Sequence, residues 1–504
     1  MKKIFYTLFL AIALVIFNGC AKLDVQNPNE PDVKKALSRS NDLKGLLAGA
    51  FVDVYSIFWG WNTPTFYSSV HLEWTADHVT MTNNYRAMWS QFKVEPRPTF
   101  NNTLAFSDLD IISEPYRRLF AANTNANDVI RRIEKDGVQV GTNGSETQMV
   151  LACAYFVKGL AYGYLANIFD KAVIVEPDTD LNKLTKDDLV DYKQVLNASI
   201  RALDKAIQIA SNNTFTLDAS FINTPSPLNN VKLARLARTY AANFIVQNAR
   251  NRAENSATDW NKVLNYTQNG ITEDFIIKLD GVNWDHALIG GAGLDWYWRV
   301  DLRIINLLDP NYPKRFPMAT NATLPPANSI DKRLNLYFKY EPSLAFFRVT
   351  RGPQLRSHYR VKRYDDLYAA QSIGPCPFMY AYNNDLLKAE AMAMTGNLSG
   401  AINILNTGRR KTVGELPDIP NTATQAEVLK AIFYERDIDL LWSDFGIHFK
   451  DMRRRDALQK GTILHFPVPA NVLANQQIPF YTYGGVNLAD GKNTADGSNS
   501  WLNP

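Results

Sequence analysis

The chain has 504 residues, 46% of them hydrophobic and 21% charged, with a formal net charge of +4. That composition suits a globular body with a large core, and the near-neutral balance excludes the clustered basic footprint of a nucleic-acid binder. The densest basic run, Arg453-Arg454-Arg455, is flanked by Asp451 and Asp456 and reads as a solvated helix end.

At the N-terminus, Met1-Lys2-Lys3 precede an unbroken apolar run from Leu8 to Phe17. This is too short to span a bilayer, which takes about 20 residues, and it has the form of a signal-peptide core. Gly19-Cys20 follows at the junction and resembles a lipobox, where a diacylglyceryl group is attached before cleavage. Ordinary secretion with an incidental Cys20 is the plainer alternative; the position of Cys20 and the polar stretch after it favour lipidation. Residues 1–19 are then the lipoprotein signal peptide, 20–34 a lipidated tether rich in Asn and Pro, and 35–504 a single helical domain. Acyl chains at Cys20 would hold the chain to a membrane, each buried methylene contributing roughly 0.8 kcal/mol. No second apolar run of spanning length is read.

The body is written in helical periods. Leu43, Leu46, Leu47, Ala50, Phe51, Val54, Tyr55 and Phe58 recur at i, i+3, i+4, i+7. The next helix is predicted over 114–134, with Ser113 as cap and Pro115 in the first turn, where its missing N–H costs least. Asn123 and Asn127 near its apolar face are expected to satisfy buried backbone. Further helices are predicted over 146–169, 192–210, 231–252, 260–269, 381–395, 399–410 and 425–442, with 308–329 and most of 471–504 as loop. Cys153 falls in an apolar helical pattern, so a buried thiol is expected; in an oxidising compartment it could also pair with Cys376. Around the Gly396-Asn397 turn, small residues alternate with larger apolar ones, a tetratricopeptide-like spacing. The predicted helices at 146–210 and 231–269 pair in a similar way. The fold class expected is mainly α: a tetratricopeptide-like helical-repeat scaffold with long irregular loop insertions and little β.

Ten tryptophans are a generous supply. Trp59, Trp61 and Trp89 lie in one irregular region, and Trp284, Trp296, Tyr297 and Trp298 in a Gly-rich insertion. Sugar rings stack their C–H faces on exposed aromatic planes, while Asn, Asp and Arg bond the hydroxyls. In Asp295-Trp-Tyr-Trp-Arg-Val-Asp301, an extended backbone puts Trp296 and Trp298 on one face. Each tryptophan taken alone is an ordinary core residue; the two clusters are the candidate ligand platforms. His71-Leu-Glu-Trp-Thr-Ala-Asp-His78 gathers histidines and acids but lacks the His-Glu-x-x-His spacing of a zinc protease, and it is read as structural. Nucleophile elbows and phosphate loops are missing from the sequence. No catalytic residue, metal ligand or cofactor is assigned.

Several segments in order carry a resemblance. They are the lipobox with Leu23, Asp24, Asn27 and Pro28, the helices at 45–55, 116–133 and 152–165, and Leu233-Ala-Arg-Leu-Ala-Arg238. Next come 386–393 with 401–410, Tyr434-Glu-Arg-Asp437, Gly446-Ile-His-Phe-Lys-Asp-Met-Arg-Arg454 and Phe466-Pro-Val-Pro469. Together they resemble the SusD/RagB family over nearly the whole mature chain. One departure is His448 after Phe445-Gly446, where the family often has Glu-Gly-x-Arg, which leaves the subfamily open. The resemblance implies a non-catalytic, lipid-anchored outer-membrane protein facing the cell exterior. It would sit as a lid on a SusC-like TonB-dependent β-barrel transporter and deliver glycan or, in some relatives, peptide. Ligand-contacting residues vary within the family, so none is carried over. A helical-repeat scaffold for protein partners and a lipid-anchored hydrolase are the alternatives.

Overall fold

The structure, a computed structural model, describes residues 40–58, 68–293, 298–318, 322–343 and 347–502. Helix accounts for 53% and strand for 8%, as the periodicity predicts. In chain order the main helices are α1 (Ser40–Tyr55), α2 (Ser68–Thr75), α3 (Asp110–Glu134), α4 (Thr147–Ile168), α5 (Tyr192–Asn212) and α6 (Asn230–Gln247). They continue as α7 (Trp260–Gln268), α8 (Leu302–Leu308), α9 (Ala381–Met394), α10 (Leu398–Thr407), α11 (Gln425–Ile438) and α12 (Ile447–Arg453).

Side-chain caps set several starts. Asp191 accepts from Lys193 N and Gln194 N at α5, Asn229 from Lys232 N at α6, and Asp259 from Lys262 N at α7. Thr424 and Glu427 form a reciprocal capping box at α11. The start of α3 differs from expectation. It begins at Asp110, without a side-chain cap, so Ser113 and Pro115 lie inside the helix. The stretch 231–252 breaks after Gln247, and a short helix, Arg252–Ser256, restarts under an Asn251 cap. α11 stops at Ile438, and Trp442 turns away with φ +58°.

α1 lies on α3 and α4, α3 on α4, α4 on α5, α5 on α6, and α6 on α7. α7 then packs on α9, which packs on α10 and α11. The pairs read from the sequence therefore join in space across the long insertion between α7 and α9. α4 is apolar on every face and long enough by composition to cross a membrane, contrary to the sequence reading, yet it is the buried middle of this stack. Two glycines allow its neighbours close. A Cβ on Gly159 would stand 2.6 Å from Leu203 of α5, and one on Gly163 would stand 2.1 Å from the Phe244 ring of α6. Asn123 and Asn127 behave as expected: Asn127 Nδ2 donates to Val175 O at 2.8 Å, and Asn123 Nδ2 to the Tyr162 hydroxyl at 2.9 Å. Cys153 and Cys376 are both free and buried, so the pairing left open by the sequence is not made.

Strands occur only as two-stranded antiparallel ladders among the described residues. After α2 comes β1 (Val79–Thr80), and the insertion holds β2 (Phe275–Leu279), β3 (Arg299–Val300), β4 (Phe338–Tyr340), β5 (Tyr359–Val361) and β6 (Gly374–Met379). β1 pairs with β3, β2 with β6 and β4 with β5. Through β1–β3, with Val79 opposite Val300, the insertion is tied to the end of α2.

Replacing Gly163 with alanine is expected to destabilise the fold by about 1–3 kcal/mol through overpacking against Phe244. That outweighs the roughly 1 kcal/mol that alanine gains in helix propensity, and a lower urea midpoint measures it.

Candidate functional site

α2 is buried on every face, so its sequence shows no amphipathic stripe. The chain leaves it through Asp77, at φ +51°, into β1, and then makes a single π-helical turn, Met88–Lys93. Met88, Phe92 and Lys93 of that turn point inward while Trp89 stays half-buried. The Trp89 indole donates from Nε1 to Arg351 O at 3.1 Å, and the Arg351 guanidinium lies 5.4 Å from its ring centroid. Arg351 in turn donates to Thr82 O at 3.1 Å, and Arg348 N donates to the Thr82 hydroxyl at 2.6 Å. Tyr85, 51% exposed, and exposed Asn84 stand on the same stretch of backbone, and Asn84 Oδ1 takes Ser90 N. Indole and guanidinium are thus held together, with an exposed phenol and amide on the adjoining chain, chemistry suited to stacking on a ring and bonding its substituents.

The other predicted residues divide. Trp298 is 3% exposed, edge-on to Trp74 at 5.8 Å, and Trp284 is 5% exposed against Tyr55. Neither presents a free face here. The reason lies in the glycines: 287–292 form a short helix, and the missing Cβ of Gly291 leaves the space that the Trp298 ring fills. Cys20, Trp59, Trp61, Trp296 and Tyr297 lie outside the described residues. Sequence reading missed Arg348, Arg351 and Tyr85, and Arg351 is 262 positions from the indole it covers, so no local signal announces it. The larger surface cavities lie elsewhere. One of about 650 Å³ is lined by Leu228, Lys232, Arg235 and Phe275, and one of about 530 Å³ by Lys44, Glu146, Met149 and Phe221. Neither includes a predicted site residue. An open platform also suits a long ligand better than a closed pocket.

Behind the platform lies a buried scaffold of charge. Asp77 accepts from Lys93 at 2.5 Å, Arg97 at 2.7 Å, Gln459 at 2.5 Å and Trp501 Nε1 at 2.9 Å. Asp301 shares Lys93 at 2.6 Å, and Arg303 reaches both Asp77 O at 3.1 Å and Asp437 at 2.9 Å. Burial alone would raise the Asp77 carboxyl, but Lys93, Arg97 and Arg315 outweigh it and hold it well below the usual range. Asp451 likewise would rise through burial, yet Arg436 and Arg454 bring it down to about 2.

The run Arg453-Arg454-Arg455 corrects the sequence reading, for Arg453 and Arg454 are wholly buried rather than solvated. Arg453 donates to the carbonyls of Gln247 at 2.6 Å, Leu464 at 2.7 Å and Asn167 at 3.0 Å. Arg454 grips Glu390 with bonds of 2.5 and 2.8 Å and Asp451 at 2.9 Å. The neighbouring acids that suggested a surface are a buried partner in Asp451 and, in Asp456, a carboxylate that accepts from the Arg252 backbone N–H. The 71–78 stretch is structural in the same sense: His71 Nε2 meets Arg86 O at 2.8 Å, and Glu73 and His78 face inward toward His448.

Burial pushes His286 down to about 3, and it drives His78 and His465 well below the ordinary imidazole value. These rings are neutral in the fold and take up protons once unfolded. Their contribution to stability is therefore full above about pH 6.5 and declines as pH falls below it. The depressed carboxyls Asp77 and Asp451 add a second loss below about pH 4. Urea midpoints measured from pH 8 to pH 3 are expected to fall in those two stages.

With this geometry in hand, solved structures of similar shape are informative. A SusD superfamily protein from Parabacteroides distasonis superposes with a TM-score of 0.61 at 14% identity, covering 87% of this chain and 98% of that one. A SusD superfamily protein from Bacteroides vulgatus gives 0.57 at 16% identity, over 82% and 88%. A SusD-like carbohydrate-binding protein from Bacteroides fragilis gives 0.56 at 14% identity, over 82% and 86%. No protein-family model and no curated protein sequence matches the chain. At these identities the likeness is one of architecture, and the resemblance carried by the order of segments holds at that level: the chain has the SusD fold.

Proposed function

We propose that this chain is a SusD-like surface lipoprotein that binds glycan on the Trp89 platform. From there it hands the glycan to a SusC-like TonB-dependent outer-membrane barrel. In this reading residues 1–19 are a signal peptide, Cys20 carries the lipid, 20–34 are the tether and 35–504 the binding domain. The chain acts as a binder and not as an enzyme.

The observation that carries the proposal is the half-buried Trp89 indole beside Arg351, with exposed Tyr85 four positions earlier in the chain, in a fold shared with a carbohydrate-binding protein. An indole packed in a core would serve stability alone; one left half-open beside arginine and amide groups offers a sugar both its face and its hydrogen bonds. Trp296 and Tyr297 are further ligand contacts in this proposal, on their sequence position alone. They immediately precede Trp298 and β3, whose partner β1 leads directly into the Trp89 segment.

A glycan array followed by calorimetry on the chain from Ala21 onward tests the reading. Trp89→Ala is expected to weaken binding about tenfold or more, near 1.4 kcal/mol, with its unfolding midpoint little changed. Trp298→Ala is expected to cost about 3–5 kcal/mol of stability as a core truncation. Failure of every glycan to bind, with peptides binding instead, would replace the ligand class. For the anchor, Cys20→Ala is expected to abolish metabolic labelling by fatty acid and to move the chain out of the membrane fraction.

A further inference from the structure

Glu73 on α2, His78 at the start of β1 and His448 on α12 meet in the interior, and each is 0% exposed. Glu73 Oε2 lies 2.6 Å from His448 Nδ1 and 3.6 Å from His78 Nδ1. One ligand atom from each residue lies within 4.8 Å of the other two. Backbone fixes the tautomer of His78. Its Nε2 stands 3.2 Å from the carbonyl oxygen of Asp437, which can only accept, so Nε2 carries the hydrogen and Nδ1 presents a lone pair.

That lone pair faces a carboxylate oxygen, and neither His78 Nδ1 nor Glu73 Oε1 has a hydrogen-bond partner. Among the described residues, the ion-pair partners of Glu73 are these two histidines, with no lysine or arginine. Two buried acceptors turned toward each other are costly, and a cation between them removes the cost.

We propose that Glu73, His78 and His448 form a structural site for a divalent metal of the zinc class. Two imidazole nitrogens and a carboxylate are a donor set that zinc favours, and the idle Glu73 Oε1 supplies a fourth donor when the carboxylate binds through both oxygens. The Asp437 carbonyl behind His78 is the outer partner that a metal-bound imidazole characteristically has. The two rings lie face to face, 3.6 Å between centroids and 20° between planes. Binding tilts each ring so that its Nδ1 turns onto the common point, and the proton between His448 Nδ1 and Glu73 gives way to the metal. With every ligand buried, the site clamps α2 to α12 and has no open position for chemistry.

The full chain, purified without metal-affinity resin or chelator, is expected to carry about one zinc per molecule by elemental mass spectrometry. A chelator should lower its melting temperature, and added zinc should restore it. Cobalt in place of zinc should give the visible bands of a four-coordinate nitrogen–oxygen site. Glu73→Gln and His448→Asn should each lose the metal. Negligible metal with a melting temperature indifferent to zinc and chelator overturns the proposal, and so does metal retained undiminished in both variants. Should the variants not fold, the cobalt spectrum of the unaltered chain decides: its absence overturns the site.

Discussion

Asp77 occupies a left-handed turn at the end of α2, and its carboxylate is the common acceptor for groups from widely separated parts of the chain. Lys93 and Arg97 arrive from the turn that presents Trp89, and Gln459 and Trp501 from the segment after α12. Removing one member of a buried, charge-paired set leaves the others uncompensated, at about 3–5 kcal/mol. The geometry is thus held as a unit. Loss of Lys93 would take one buried cation from both Asp77 and Asp301, and the turn carrying Lys93 is the turn carrying Trp89. The exposed platform is positioned by charges that no solvent reaches.

The same construction recurs at other joints of the helical stack. Arg333 spans Asp331, Glu435 and Asp439, tying the insertion to α11. Arg453 gathers carbonyls from the ends of α4 and α6. Hydrophobic residues of equal size would pack such places with similar stability, but they would accept many registers. A planar guanidinium with several fixed donors accepts few. Loops of this length have little regular hydrogen bonding of their own, so arginines that bind carbonyls supply the order that strands and helices supply elsewhere.

Legibility from sequence follows from this division. α5, α6 and α7 declare themselves through an apolar stripe and a capping Asp or Asn, because those signals are local. α2 does not, since a helix buried on all sides has no stripe to show. Arg453 and Arg454 look like a surface because adjacent acids imitate one. Their partners, Glu390 and the carbonyls of Asn167 and Gln247, are distant in sequence. Trp284 and Trp298 look like loop aromatics because glycines surround them, whereas Gly291 serves to make room for an indole. Of the described candidate residues, Trp89 alone keeps a partly open face. What makes it a candidate site is Arg351, and what completes the buried cluster is His448, 375 positions beyond Glu73. Such pairs are properties of the fold.

The bond from Trp501 to Asp77 joins residues 424 positions apart, and it also sets a clock. Translation delivers a chain from its N-terminus, so Asp77, Lys93 and Arg97 are made long before Gln459 and Trp501 can reach them. Until Gln459 and Trp501 arrive, the Asp77 carboxylate has Lys93 and Arg97 but lacks the two donors to its other oxygen, and the layer under the platform is incomplete. Vectorial synthesis would therefore leave this region open through most of the chain's manufacture. Its closure waits on Trp501.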